Sequence, residues 1–143
     1  MKKSKIGILL VLMLFVGVCG LLYPSVSQYW NSKTQTRAVE NYQEILNSLK
    51  QEDYEVFFQE ADRYNVELSE LKNPLLNYRQ LDGYNEILNI NGNGIMGYVS
   101  IPKLGVEIPI YHGISAEVLN VACGHLEGTS LPVGGENTHC VLS

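Results

Sequence analysis

Hydrophobic and polar positions divide the chain into three stretches of different period. The run Ile6 to Tyr23, "IGILLVLMLFVGVCGLLY", has no charge in eighteen positions. As a helix rising about 1.5 Å per residue, it is just long enough to cross the hydrocarbon core of a bilayer. Beyond it, Ala38, Tyr42, Ile45, Leu46 and Leu49 recur at three- and four-residue steps, the spacing of one apolar helix face. A second helix is predicted over Asp53 to Asn65, with Tyr54, Phe57, Phe58, Ala61 and Tyr64 inward. Asn73-Pro74 breaks this pattern, and "LLNYRQLDGYNEIL" reads as irregular chain with a helical turn. "NINGNG", Asn89 to Gly94, is a dense turn signal and marks a boundary.

From Ile95 the period shortens. "IMGYVSI" reads as a strand, Pro102-Lys103-Leu104-Gly105 as a turn and "VEIPIY" as a second strand, with Pro109 suggesting an edge or a bulge. "SAEVLNVAC" reads as a short helix with a serine N-cap, and "GHLEGTSLPVGGENT" as a loop. "HCVLS" looks like a strand that has begun and been cut off.

For the apolar run three readings compete with a membrane anchor. A cleaved signal peptide has small residues at Ser25-Val26-Ser27, but its apolar core is usually only ~7–15 residues. A lipoprotein signal would use Cys19, yet Val18 is larger than the residue that normally precedes a lipidated cysteine. A buried soluble helix would need a solvent face, and no polar residue interrupts the run to make one. Read as an anchor, the run follows Lys2, Lys3 and Lys5, which keeps residues 1–5 cytoplasmic and the remainder extracytoplasmic. Tyr23, Tyr29 and Trp30 then fall where aromatic residues favour the membrane interface. The localisation expected is a single-pass protein of the cell membrane.

With the anchor (6–23) and the helical segment (24–91) set aside, only residues 92–143 are β-like. Some fifty residues bury too little surface for an independent core without disulfides or metal, so the chain reads as part of something. The net charge of −5 is concentrated, with nine acidic residues between Glu40 and Glu70 against Lys50 and Arg63. No basic stripe exists to neutralise phosphates, which argues against nucleic acid as a partner. The acids read as the solvated face of a helix. No glycine loop cradles a phosphate, since "NGNGIMG" leads into a strand. Of three cysteines, Cys123 and Cys140 lie outside the apolar run. One disulfide between them is open, two buried thiols are the other state, and no metal spacing is present. Neither cofactor nor metal is expected.

Several motifs in order carry a resemblance: "IPKL" at Ile101 to Leu104, "PIYHG" at Pro109 to Gly113 and "GHLEGTSLPVGG" at Gly124 to Gly135. With the anchor and helical segment before them, they closely resemble sortases, the membrane-anchored cysteine transpeptidases of Gram-positive bacteria, and most of all class C, the pilin-polymerising sortases. The resemblance implies an eight-stranded β-barrel of which this chain supplies the first strands. It implies a cysteine thiolate that attacks an LPxTG-like sorting signal, and an amine from a pilin or the cell wall that resolves the thioacyl enzyme. A histidine would move the proton and an arginine would stabilise the oxyanion.

None of these three residues is identifiable in the chain, so the catalytic set is expected to be none. In the family the histidine follows almost directly after the strand represented by "HCVLS", in a His-Arg-Gly context, and Ser143 falls just short of it. His112, His125 and His139 are read as structural. His112 ends a strand, and His125 sits in a loop that shapes the barrel mouth. His139 and Cys140 are adjacent in a strand and point to opposite faces. Cys123 lacks a base or positive cluster to activate it. Class C sortases commonly carry an Asp-Pro-aromatic lid, whereas "KNPLLNY", Lys72 to Tyr78, offers Asn-Pro-Leu, with Tyr78 the one aromatic to stand in.

The expectation is a class C-like sortase portion acting on pilin or surface-protein substrates with LPxTG-like signals and resting in membrane lipid. The polypeptide alone should be inactive. The rival is a non-catalytic, membrane-anchored docking protein derived from a sortase.

Overall fold

The computed structural model describes residues 2–143, with side chains from residue 7 onward. Lys2, Lys3 and Lys5 of the expected cytoplasmic tail lie outside the residues whose side chains are described. Two compact units are present, residues 1–34 and 35–143.

Helix α1 runs Lys2–Ser48 and continues across Pro24. In the first unit its apolar side chains are exposed on every side, from Ile8 (63%) to Phe15 (67%) and Tyr23 (74%). The helix is long and apolar enough to cross a membrane, with a mean hydropathy of 2.4 over its most apolar stretch; a signal sequence passes the same test.

In the second unit, α1 residues from Gln35 onward and α2 (Gln51–Glu70) pack with a small sheet. Helix α2 opens where the Asp53 carboxylate accepts the Lys50 backbone N–H at 3.1 Å, and Glu52 and Asp53 sit in its positive first turn. Its buried residues are Ala61, Tyr64, Asn65 and Leu68, steps of three and four that mark one face. Phe57 packs against this core, but Phe58 is 49% exposed and does not belong to the inward set. One residue is a turn of about 100°, which carries Phe58 off the stripe. All nine acids between Glu40 and Glu70 are exposed, which agrees with the solvated-face reading.

After Asn73, which adopts the left-handed conformation (φ 55°), come helix α3 (Pro74–Asn77) and a 3-10 turn at Tyr78–Gln80. The sheet begins at β1 (Ile95–Ile101), turns through Pro102–Leu104, and returns as β2 (Val106–His112). Gly105 closes the turn at φ 60°, where a side chain would be strained. Helix α4 (Ala116–Leu119), capped by the Ser115 hydroxyl accepting the Val118 N–H, leads to β3 (Cys123–His125).

The order is β1-β2-β3, antiparallel then parallel. Strand β3 was not foreseen, because "CGH" read as helix end and loop; three residues are too few to show a period of two. Pro109 is likewise not on an edge, since β2 is the central strand and Pro109 is fully buried opposite Tyr98. It is tolerated there because the ladder to β3 begins only at Ile110, so no β3 residue stands in register with the missing donor. The irregularity lies instead on β1, between Ile95 and Gly97. "HCVLS" makes one antiparallel bridge, Leu142 to His125, and not a full strand.

The core joins all these parts: Ala61, Tyr64 and Leu68 from α2, Tyr84, Ile87 and Leu88 from the connector, and Met96, Ile110 and Leu131. Each fully buried Leu or Ile here contributes roughly 1.5–3 kcal/mol relative to exposure. Tyr42 of α1 closes one side, its hydroxyl donating to the Met96 carbonyl at 3.2 Å and its ring edge-on to Tyr98. Burial pushes its phenol up to about 12, with Tyr54 and Tyr98 adding to it. Asn65 grips the loop from beneath: its carbonyl oxygen accepts the Leu131 N–H at 2.7 Å and its amide donates to the Leu131 carbonyl at 3.4 Å.

Candidate functional site

His125 on β3 is fully buried, and a buried imidazole needs a partner on each nitrogen. Its Nδ1 lies 2.8 Å from the Tyr84 hydroxyl, while Nε2 lies 3.0 Å from the Ser130 carbonyl and 3.3 Å from Oγ1 of Thr129. A carbonyl only accepts, so Nε2 carries the proton and Nδ1 accepts from Tyr84. Burial, opposed by the Ser130 bond, holds His125 below the usual histidine range, so the ring is neutral. Tyr84 also accepts the Gly113 N–H at 3.1 Å, and burial raises its phenol strongly.

His112, at the end of β2, stands edge-on to Tyr84 with centroids 5.1 Å apart. Its Nδ1 is 3.0 Å from the Gly94 carbonyl and its Nε2 2.9 Å from the Ile87 carbonyl. Tyr84, His112 and His125 thus stitch the connector to the sheet and to the loop after β3. Neither ring has a nitrogen left to serve a substrate. Tyr84 was not singled out in the sequence; the one local signal was its place after a turn glycine, Gly83 (φ 85°).

Cys123 is half-buried against the core, and burial pushes the half-buried Cys140 thiol up. Among the described residues no hydrogen bond joins a cysteine to a histidine. All three cysteines are free. The Leu126 N–H donates to the Val141 carbonyl, so the register sets Cys140 level with Glu127 and not with Cys123. His139 is exposed, tied to Ser130 only through its backbone.

One cleft lies beside these groups. Pro74 and Leu75 of α3, Gly128, Thr129, Ser130 and His139 are among the residues lining a space of about 300 Å³. Helix α3 sits tightly on the loop: a Cβ placed on Gly128 would lie 2.8 Å from Leu75 Cα and 3.0 Å from the Pro74 carbonyl oxygen. Leu75 and Leu76 are 56% and 79% exposed. Tyr78 is half-buried at the core edge with the Arg79 guanidinium over its ring.

No protein-family model and no curated protein sequence matches the chain. Solved structures do. The chain is similar to sortase C1 of Streptococcus agalactiae (37% identity, 74% of this chain, 55% of that chain, TM-score 0.60). It is similar to sortase C of Streptococcus pneumoniae (34% identity, 74% and 54%, TM-score 0.57). It is also similar to Clostridium perfringens sortase C, solved in an intermolecular complex with the C-terminal cell wall sorting signal motif (38% identity, 75% and 50%, TM-score 0.57). The chain spans about half the length of these solved chains. Three strands of a mixed sheet are seen here, and a closed barrel is not. Over about three quarters of its residues the chain is similar, in fold and in sequence, to the class C sortases, as "IPKL", "PIYHG" and "GHLEGTSLPVGG" implied.

Proposed function

We propose that the chain serves in a membrane-anchored, class C-like sortase, a cysteine transpeptidase that cleaves LPxTG-like sorting signals to polymerise pilins or anchor surface proteins. The observation that carries this reading is the 37% identity to a class C sortase over 74% of the chain. The sorting signal bound to a 38% identical sortase C supports the substrate class.

In this reading residues 6–23 are the anchor, residues 24–91 an extracytoplasmic helical and lid-like region, and residues 92–143 the first part of the barrel domain. Among the described residues no cysteine is hydrogen-bonded to a histidine, and the rings of His112 and His125 are occupied by partners within the fold. The chain therefore supplies placement and scaffold, and the nucleophile, base and oxyanion donor lie elsewhere.

A chimera tests this. The matched region of Streptococcus agalactiae sortase C1 is replaced by the corresponding residues of this chain, and release of the leaving group from an LPxTG peptide is followed. Cleavage within about tenfold of the parent is expected. A folded chimera with no cleavage overturns the reading, and cleavage by residues 1–143 alone overturns the assignment of the chemistry to other residues.

A further inference from the structure

The end of the second unit at which α1 enters carries an apolar fringe that its own core does not use. There, Gln35 donates from its side-chain amide to the Val121 carbonyl, and Thr36 lines a space with Ser100, Pro102 and Gly105 at the β1–β2 turn. The hairpin tip and the turn after α4 therefore flank the same turn of α1. On one flank Leu104 is 71% exposed and Ile101 40%; on the other, Leu119 and Val121 are each 43% exposed. A tip that shows its leucine to water leaves about 25 cal/mol per Å² of apolar surface unburied.

We propose that this fringe, led by Leu104, docks in the lipid–water interface of the membrane that α1 enters. The inference rests on the reading of residues 6–23 as a membrane span. Chain connectivity names the occupant. Trp30 (70% exposed) and Tyr29 (67% exposed) are the side chains that seek the interface, and Gln35 follows Trp30 by five residues, at most ~18 Å even fully extended. The interfacial layer beyond the hydrocarbon is itself several ångströms deep on each side. Lys33, Arg37 and Lys103 stand against Glu107 and Glu117, a near-balanced set, so the apolar side chains carry the docking.

Trp30 is the sole tryptophan, which makes depth readable by fluorescence. The full chain is reconstituted in vesicles of phosphatidylcholine and phosphatidylglycerol, with and without doxyl-labelled lipid. It is compared with Trp30→Phe/Leu104→Trp, Trp30→Phe/Val121→Trp and Trp30→Phe/Val66→Trp, the last on the exposed face of α2. At least twofold quenching is expected for the native chain and for the Leu104 and Val121 variants, and none for the Val66 variant. Quenching of the native chain without quenching of either fringe variant overturns the proposal and leaves the anchor standing. An unquenched native chain overturns the anchor reading and the proposal with it. A blue-shifted fringe reporter that doxyl lipid does not quench assigns the fringe to a second copy or another protein, and also overturns the proposal.

Discussion

The Tyr84 hydroxyl donates to Nδ1 of His125 across 2.8 Å, joining residues 41 positions apart inside the core. The same oxygen accepts the Gly113 N–H, so one atom serves connector, sheet and turn. Tyr84→Phe leaves the buried Nδ1 and that N–H without partners, and a loss of about 1–3 kcal/mol is expected. Tyr64 provides the contrast, because its buried hydroxyl has no hydrogen-bond partner among the described residues. Tyr64→Phe should be neutral or stabilising. Urea midpoints of the two variants check this, and a Tyr64→Phe loss equal to that of Tyr84→Phe would refute the network.

His125 also gives stability a pH dependence. Its native pKa lies below the unfolded value of about 6.5, chiefly through burial. Above that value both states are neutral and the native state keeps its full stability. As pH falls through about 6.5 the unfolded chain takes up a proton that the native ring refuses, so stability declines until the lower native pKa is passed. Denaturation between pH 7.5 and 5.5 should show this slope in the wild type. His125→Asn, although less stable throughout, should show a shallower one.

Elements marked by a repeating pattern or by a local cap were legible, the four-residue α4 with its Ser115 cap among them, and β3 was not. Helices α1 and α2 and the β1–β2 pair each repeat a pattern over several residues, the turn between the strands is marked by Pro102 and Gly105, and the structure has all of them there. Strand β3 has three residues and its identity comes from a parallel neighbour 13 positions earlier, which no local pattern carries. Phe58 was misjudged because Phe57 and Phe58 are equally apolar, and only the packing of α2 decides between them. The partners of His125 were not legible either: Thr129 and Ser130 lie only four and five residues on, across a turn, while Tyr84 is 41 positions away. The motifs carry the likeness to class C sortases, and the geometry shows that the rings of His112 and His125 are taken up by partners within the fold.

The fit of α3 against the loop after β3 predicts a local effect. Gly128 sits at φ 84°, and an added Cβ would meet the backbone of Leu75, which cannot swing aside as a side chain can. Gly128→Ala should cost about 1–3 kcal/mol for the left-handed backbone and strain at the contact. It should also loosen α3 selectively. Hydrogen exchange at residues 74–78 should rise at least tenfold over the wild type, with β1 and β2 protected as before. Equal acceleration across the sheet would mean that α3 is not held by this contact.

Cys140 and Cys123 should behave as separate thiols, with Cys140 slow to react. Burial raises the Cys140 thiol, so the reactive thiolate is scarce at neutral pH. The register displaces Cys140 from Cys123 by several residues along the strand, well beyond the ~4.4–6.8 Å between Cα atoms that a disulfide tolerates. Under mild oxidant, peptide mapping should find no Cys123–Cys140 bridge in the folded chain. An aromatic disulfide reagent should modify Cys140 at least tenfold more slowly in the native protein than in urea. A native bridge, or a Cys140 that reacts as fast folded as unfolded, would show that the end of the chain does not lie along β3. His125 would then lose the Leu142 bridge that covers its strand.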